Sequence, residues 1–268
     1  MAYFLKERGV SVSVVNPLVI KRYCQMKLVR AKTDKKDAMM IARYGESETP
    51  QLWEPTSEII LMTQQLETYL EGLKKRRTMV TNQLHSFRHT GILNKELEKE
   101  LEEEIADYDE KIARKEKEIK DLLDKENREL VHNLQSIPGI GPRTASLFII
   151  TTNGFRDFDN YKQVISYYGV APRIFESGTS VKGRGRICKL GMSQVRKILY
   201  MAGWSAIRCN KACRELYGRL REKGKPFKVA MIAVVNKLIK QAFAIAKSGI
   251  EYQHDYKPTF ARTIEQLT

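Results

Sequence analysis

Apolar residues along most of this chain recur at helical spacing. Leu61, Leu66, Leu70, Leu73, Val80 and Leu84 form one stripe. After a bend expected at Gly91, Leu101, Ile105, Tyr108, Ile112, Ile119 and Leu122 follow in alternating 4-3 spacing, with Lys115 at one seam position. Two long helices joined near Gly91 predict an antiparallel hairpin or a coiled coil. The seam does not tell an arm closed within one chain from a dimer contact. Two further helices are predicted. One runs from Met192 to Arg208, with Val195, Ile198, Leu199, Ala202 and Ala206 inward. The other runs from Lys228 to Lys247, with Met231, Val234, Val235, Leu238 and Ile239 inward.

The opening of the chain has a different texture. Ala2 to Arg8 reads as the end of a helix closed by Gly9, Val10 to Val15 as a short apolar strand broken by Asn16-Pro17, and Thr33 to Tyr44 as a helix stopped by Gly45. One strand makes no sheet. This part is therefore expected to be the tail of a larger α/β domain. The fold class expected for the whole is mainly α: a partial α/β domain over 1–50, a helical arm over 51–131, a helical domain over 132–250 and a polar tail over 251–268.

Charge changes this picture. The chain has 268 residues, 47 basic and 32 acidic, for a net charge of +15. Asn94 to Glu129 holds 15 acidic and 9 basic residues, leaving 38 basic against 17 acidic elsewhere. A basic surface outside the arm points to a polyanionic partner. No run of 18 apolar residues and no secretory leader is visible, so a cytoplasmic protein without membrane contact is expected. The cysteines Cys24, Cys188, Cys209 and Cys213 lack CxxC spacing. Cys209 and Cys213, i,i+4 on one expected helix, make a poor zinc site without a nearby His.

Two segments suit phosphate. In Ser136-Ile-Pro-Gly-Ile-Gly-Pro-Arg-Thr-Ala145, a hairpin on Gly139 and Gly141 would present backbone N–H groups at a helix start, with Arg143 and Thr144 beside them. This pattern is that of a helix-hairpin-helix; a plain helix–helix turn is the alternative. In Ala171 to Lys189, Ser177, Gly178 and Thr179 precede Lys182, Gly183, Arg184, Gly185, Arg186 and Lys189. Glycines admit a close polyanion and the cations neutralise it. Ser177 is there either a nucleophile or only a hydrogen-bond donor. Arg214, Arg219, Arg221, Lys223, Lys225 and Lys228 form a further basic connection, either a nucleic-acid face or a solvated run. Asp34 and Asp37, i,i+3 at a helix start, suit either one Mg²⁺ or the helix cap, with Thr33 or Asp34 capping.

Taken in order, VVNPLVIKRY, KTDKKDAMMIARYGE, SIPGIGPRTA and YGVAPRIFESGTSVKGRGRICKLGMSQVRKILYMAG resemble the DEDD-type insertion-sequence transposases of the insertion sequence one-ten family. The resemblance spans most of the chain. It implies a RuvC-like amino-terminal domain, a coiled-coil arm and a serine-bearing carboxy-terminal domain. Asp34 and Asp37 match the last two acids of the DEDD set, and Ser177 matches the serine that forms a covalent link to DNA. It also implies Mg²⁺ as cofactor and a structured guide RNA that pairs with target and donor DNA. The expected assembly is of dimers pairing into tetramers, the RuvC-like domain of one subunit meeting the serine domain of another. The first Asp and the Glu of the set belong on strands before Met1. An amino-terminally truncated member with impaired recombination is therefore expected, the alternative being a non-catalytic nucleic-acid-binding fragment.

Overall fold

A computed structural model of the chain describes residues 1–29, 33–92, 94–173, 176–177, 181–182, 186–188 and 190–254. The chain divides into two compact units, Met1–Thr56 and Ser57–Thr268.

The first unit is helical: α1 (Ala2–Glu7), α2 (Pro17–Met26) and α3 (Asp34–Glu48). The expected strand at Val10 to Val15 is absent. Its Val12 carbonyl accepts the Trp53 N–H at 2.7 Å, and no strand of this unit, among the described residues, lies beside it to complete a ladder. Asn16-Pro17 starts a helix where a break was expected. Asn16 Oδ1 accepts the Leu18 N–H at 2.9 Å and Pro17 takes the first helical position, where its missing N–H costs nothing. Gly45 does not stop α3, which runs on to Glu48 and ends at Thr49 in the left-handed region. Among the described residues of this unit, Tyr23 and Met40 are the buried side chains. The Tyr23 ring meets Tyr44 edge-on at 5.2 Å and its hydroxyl lies 3.1 Å from Ser47 Oγ.

In the second unit, α4 (Glu58–His89) and α5 (Lys95–Glu126) turn at Gly91, whose φ of +78° suits glycine. They pack antiparallel against each other, so the seam closes within this chain. Arg77 on Asp109 and Arg88 on Glu98 mark the direction. The seam of α5 departs from strict 4-3 spacing at its end: Leu123 is buried, with Leu122 only partly covered. Val80, Leu84 and Leu101 form a small core in the outer arm. Ile60, Leu70, Ile119 and Leu123 join the main core.

That core continues through α6 (Arg128–Gln135), α7 (Pro142–Thr152), α8 (Tyr161–Tyr167), α9 (Ser193–Cys209), α10 (Lys211–Glu222) and α11 (Phe227–Ser248). Between α8 and α9 lie four two-residue strands: β1 (Pro172–Arg173), β2 (Glu176–Ser177), β3 (Val181–Lys182) and β4 (Arg186–Ile187). Helix α11 is the central element. Met231, Val234, Val235, Leu238, Ile239 and Ala242 are buried on it, against α6, α8, α9 and α10. Each fully buried Leu, Ile or Val contributes about 1.5–3 kcal/mol. By length and apolarity α11 alone among the described helices could cross a membrane, but here its apolar face is packed inside the bundle. Cys209 and Cys213 do not share a helix. Asn210 ends α9 and its Oδ1 accepts the Cys213 N–H at 3.2 Å, starting α10.

Candidate nucleic-acid interface

The serine segment is a two-part antiparallel hairpin. Pro172 faces Ile187 and Arg173 faces Arg186; further out, Glu176 faces Lys182 and Ser177 faces Val181. The Cys188 N–H donates to the Ala171 carbonyl at 3.0 Å, continuing the pairing inward. Ser177, Lys182 and Arg186 thus lie on one hairpin. Gly178, Thr179, Arg184 and Lys189 lie outside the described residues.

The foot of this hairpin is a pinch that only glycine tolerates. Gly169 has φ +71°, and a Cβ there would sit 2.3 Å from the Leu190 carbonyl oxygen. Gly191 has φ +129°, and its Cβ would sit 2.3 Å from the Tyr167 carbonyl oxygen. Arg196 of α9 donates from Nη1 to the Tyr168 carbonyl at 3.0 Å, tying the foot to the helix that follows. Tyr168 itself is fully buried. Its hydroxyl lies 2.6 Å from Thr151 Oγ1, and burial pushes the phenol well above its ordinary range.

The 136–141 turn joins α6 to α7 and is held from three sides. Gly139, at φ +101°, lies so close to α9 that a Cβ would be 2.7 Å from Ala206 Cα. Its first role is therefore packing. Asn210, fully buried, donates from Nδ2 to the Pro138 carbonyl at 3.2 Å and to Gln241 Oε1 at 3.0 Å. The Tyr252 N–H donates to Ser136 Oγ at 2.8 Å. Gly141 caps α7 beside open space, with Pro142 as the first helical residue. Thr144 is buried. Arg143 reaches back to the arm: Nη2 is 3.2 Å from Glu67 and 3.9 Å from Glu71, and Nη1 is 3.5 Å from Glu116.

In the first unit, Thr33 is the cap of α3. Its Oγ1 accepts the Lys36 N–H at 3.3 Å and its carbonyl accepts the Asp37 N–H at 2.8 Å. Asp34 and Asp37 occupy the first turn, Asp34 exposed and Asp37 half-buried. Asp37 borders an open cavity of about 810 Å³, with Lys21, Cys24, Ile41 and Tyr44 among its walls. No group of three or more His, Cys, Asp or Glu among the described residues could hold a metal ion. Two carboxylates on one helical turn do fit a single Mg²⁺, which keeps several waters and shares its remaining positions with phosphate oxygens. Cys213 offers no thiolate, because burial pushes its thiol up to about 12. His85 and His89 face each other, Nε2 to Nε2 at 3.2 Å, on the exposed side of α4.

Two family models match this chain. The Transposase IS116/IS110/IS902 family covers residues 131–218, the stretch with the turn and the serine hairpin. A DEDD transposase model of the IS110 type covers residues 1–88, including Asp34 and Asp37. The chain is 30% identical over 246 residues to the pilin gene-inverting protein of Moraxella bovis, covering 89% of this chain and 73% of that protein. It is 30% identical over 245 residues to the protein of the same name from Moraxella lacunata. A probable family 20 transposase of Pseudomonas aeruginosa is 29% identical over 155 residues, 56% of this chain and 44% of that protein. The chain belongs to the IS110 family of transposases. Such enzymes cut and rejoin DNA, which makes DNA the substrate.

In this IS110-family chain, the residues that position the hairpin and the turn are Gly169, Gly191, Arg196 and Asn210. Three of the four do not stand out in the sequence. Asn210 carries a readable signal as a helix cap between two apolar-periodic runs. The two glycines act on segments about twenty residues apart, and no local pattern announces that.

Proposed function

We propose that this chain cleaves and rejoins the DNA of an insertion element through Ser177, with Mg²⁺ on Asp34 and Asp37, under the guidance of a structured RNA and as a dimer or tetramer. The observation that carries this reading is the position of Ser177 in the match to the Transposase IS116/IS110/IS902 family, on a glycine-spaced basic hairpin anchored in the core. In the cleaving step, Ser177 Oγ attacks phosphorus and its P–O bond forms as one P–O bond to deoxyribose breaks. The proton from the serine ends on the departing DNA hydroxyl. The phosphoserine ester keeps the bond energy, so attack by a strand hydroxyl restores the DNA and the serine. The name of the Moraxella relatives, gene inversion, describes a reaction of this cut-and-rejoin kind. When bound, Mg²⁺ supplies charge neutralisation at the phosphate oxygens. Lys182, Arg184, Arg186 and Lys189, with the backbone at Gly178 and Thr179, hold the phosphates that flank the reacting one. The amide end of α7, opened by Gly139 and Gly141 in a helix-hairpin-helix, takes a backbone phosphate without reading sequence. Arg143 and Thr144 contribute there through the main chain, since the one side chain is bound to carboxylates and the other is buried.

The test is a denaturing gel for covalent protein–DNA adducts, with Mg²⁺, the element's flanking RNA and its junction DNA, comparing the chain with Ser177→Ala. The expected outcome is an adduct that disappears in the variant while RNA binding persists. An adduct retained in Ser177→Ala overturns the nucleophile assignment. A second reading, a nucleic-acid-binding protein without catalysis, is favoured by the two-carboxylate first turn and its lack of a larger acid cluster among the described residues. Tight binding of RNA or DNA with no adduct would select it.

A further inference from the structure

Six cations on or beside α9 to α11 stand apart from any carboxylate among the described residues. Lys197, Arg208, Arg219, Lys223, Lys225 and Lys228 have no carboxylate within ion-pair distance among the described residues. The ion pairs found there lie on α1, the arm, Arg143 and His132. Four exposed residues on α9 fall at i, i+4, i+7 and i+11: Lys197, Met201, Trp204 and Arg208. That spacing is one helix face. The indole of Trp204 is 38% exposed and Met201 is 65% exposed, although the face opposite them packs tightly. Trp204 leans on Phe227 of α11 with ring centroids 5.2 Å apart, and Tyr217 meets Phe227 edge-on at 6.3 Å. Lys225 and Lys228 flank Phe227 and are exposed. Gly203 brings the two helices together here: a Cβ on it would meet Met231 Cε and Val235 Cγ2 at 3.4 Å.

An indole propped by a second ring, with cations above and below it along one helix face, is the arrangement that stacks a base and tracks its phosphates. We propose that the Lys197–Trp204–Arg208 face of α9, backed by Phe227, is a stacking platform for a single-stranded segment of nucleic acid, separate from the serine hairpin. It rests on the nucleic-acid reading above and adds a site to it. A second copy of the acidic helix α5 would also match the charge. It would leave the indole without a stacking partner, and the α5 carboxylates Glu98, Glu102, Asp109 and Glu116 already hold cations of α4. Base stacking accounts for both the ring and the charge.

The chain has two tryptophans, Trp53 and Trp204, so Trp53→Phe makes indole emission a report on Trp204 alone. In that background, titration with a short oligothymidylate is expected to quench the emission saturably. Trp204→Ala should weaken binding of the oligonucleotide roughly tenfold, and Trp204→Phe should recover most of it, with circular dichroism showing the same helix content in all three. Replacing Lys197 and Arg208 together by Ala should lower the slope of log affinity against log salt by roughly 1.4, about 0.7 for each phosphate contact on a single strand. Unquenched emission and unchanged affinity in Trp204→Ala would overturn the platform while leaving the transposase reading standing. Quenching that follows protein concentration without oligonucleotide would overturn it in favour of a second copy. If the wild type bound no oligothymidylate, duplex DNA or structured RNA at all, the nucleic-acid reading itself would fall, and the platform with it.

Discussion

The arm and the α9–α11 face are both rich in charge and use it in opposite ways. Along α4 and α5, cations meet carboxylates across the seam: Lys74 on Glu116, Arg77 on Asp109, and Arg88 on Glu98 and Glu102. The arm also takes in a cation from outside itself, since Arg143 of α7 is held by Glu67, Glu71 and Glu116. On the α9–α11 face Lys197, Arg208, Lys225 and Lys228 stand beside exposed apolar side chains, with no carboxylate in ion-pair distance among the described residues. Matched charge fixes how helices sit on each other. Unmatched charge at this density repels itself and costs stability until a polyanion arrives. The acidic bias of the arm and the basic bias of the rest are therefore parts of one distribution. The acids serve the scaffold, and the surplus cations are what the proposed platform uses.

The strongest way to break this contrast is at Arg143, the α7 cation that the arm's carboxylates hold. Arg143→Ala leaves Glu67, Glu71 and Glu116 facing one another. It should cost about 1–2 kcal/mol in urea unfolding at unchanged slope, a figure discounted for a guanidinium that is 37% exposed. Arg143→Lys should restore only part of it, because an ammonium cannot bridge three carboxylates as a planar fork does.

A smaller effect separates two acids of the arm by pH. Burial raises the Glu67 carboxyl above its ordinary value of 4.5, against the opposing pull of Arg143. Its contribution is thus complete below that value and is lost as pH climbs through the raised one. The hydrogen bond from Arg77 lowers Asp109 below its ordinary 3.8, so its contribution is present above that value and disappears as pH falls through the lowered one. Thermal midpoints followed through the acid range should show Glu67→Gln gaining on the wild type as pH rises. Asp109→Asn should lose ground over the same change. Parallel curves for the two variants would mean that both acids behave as ordinary surface groups. The smallest effect is expected on the other region: Lys197 and Arg208 replaced by Ala should raise the urea midpoint slightly, since the change relieves like-charge repulsion and removes no ion pair found among the described residues. A clear drop would show that these cations are structural after all.

What could be read from the sequence follows the range of the interactions. Helices α4, α5, α9 and α11 were legible because their apolar residues keep a 3.6-residue period, and the mainly helical class follows from them. Helix α2 was not, because Asn16-Pro17 serves equally as a strand breaker and as a cap with its first helical residue. Gly45 misled for a similar reason: glycine inside a helix costs only about 1 kcal/mol and need not end it. The hairpin around Ser177 was visible as a motif but not as strands. It has no apolar alternation, and its pairs are two residues long. Gly139 was legible as a turn glycine, whereas its contact with Ala206 depends on a helix that begins more than fifty residues later. The engagement of Arg143 likewise depends on Glu67 and Glu116, neither of which is near it in sequence.

The crossed glycines at the foot of the hairpin have a consequence for how the Ser177 segment is carried. At Gly169 and Gly191 the two chain segments meet backbone to backbone, and Arg196 clamps the crossing from the helix behind. The paired strands between them hang from a collar of main chain. A side chain at either glycine would force the two segments apart at the root of the hairpin, next to Val170 of the core. The protein thus mounts the segment that carries Ser177 on a keystone of bare backbone, and the aim of that segment depends on two residues that have no side chain.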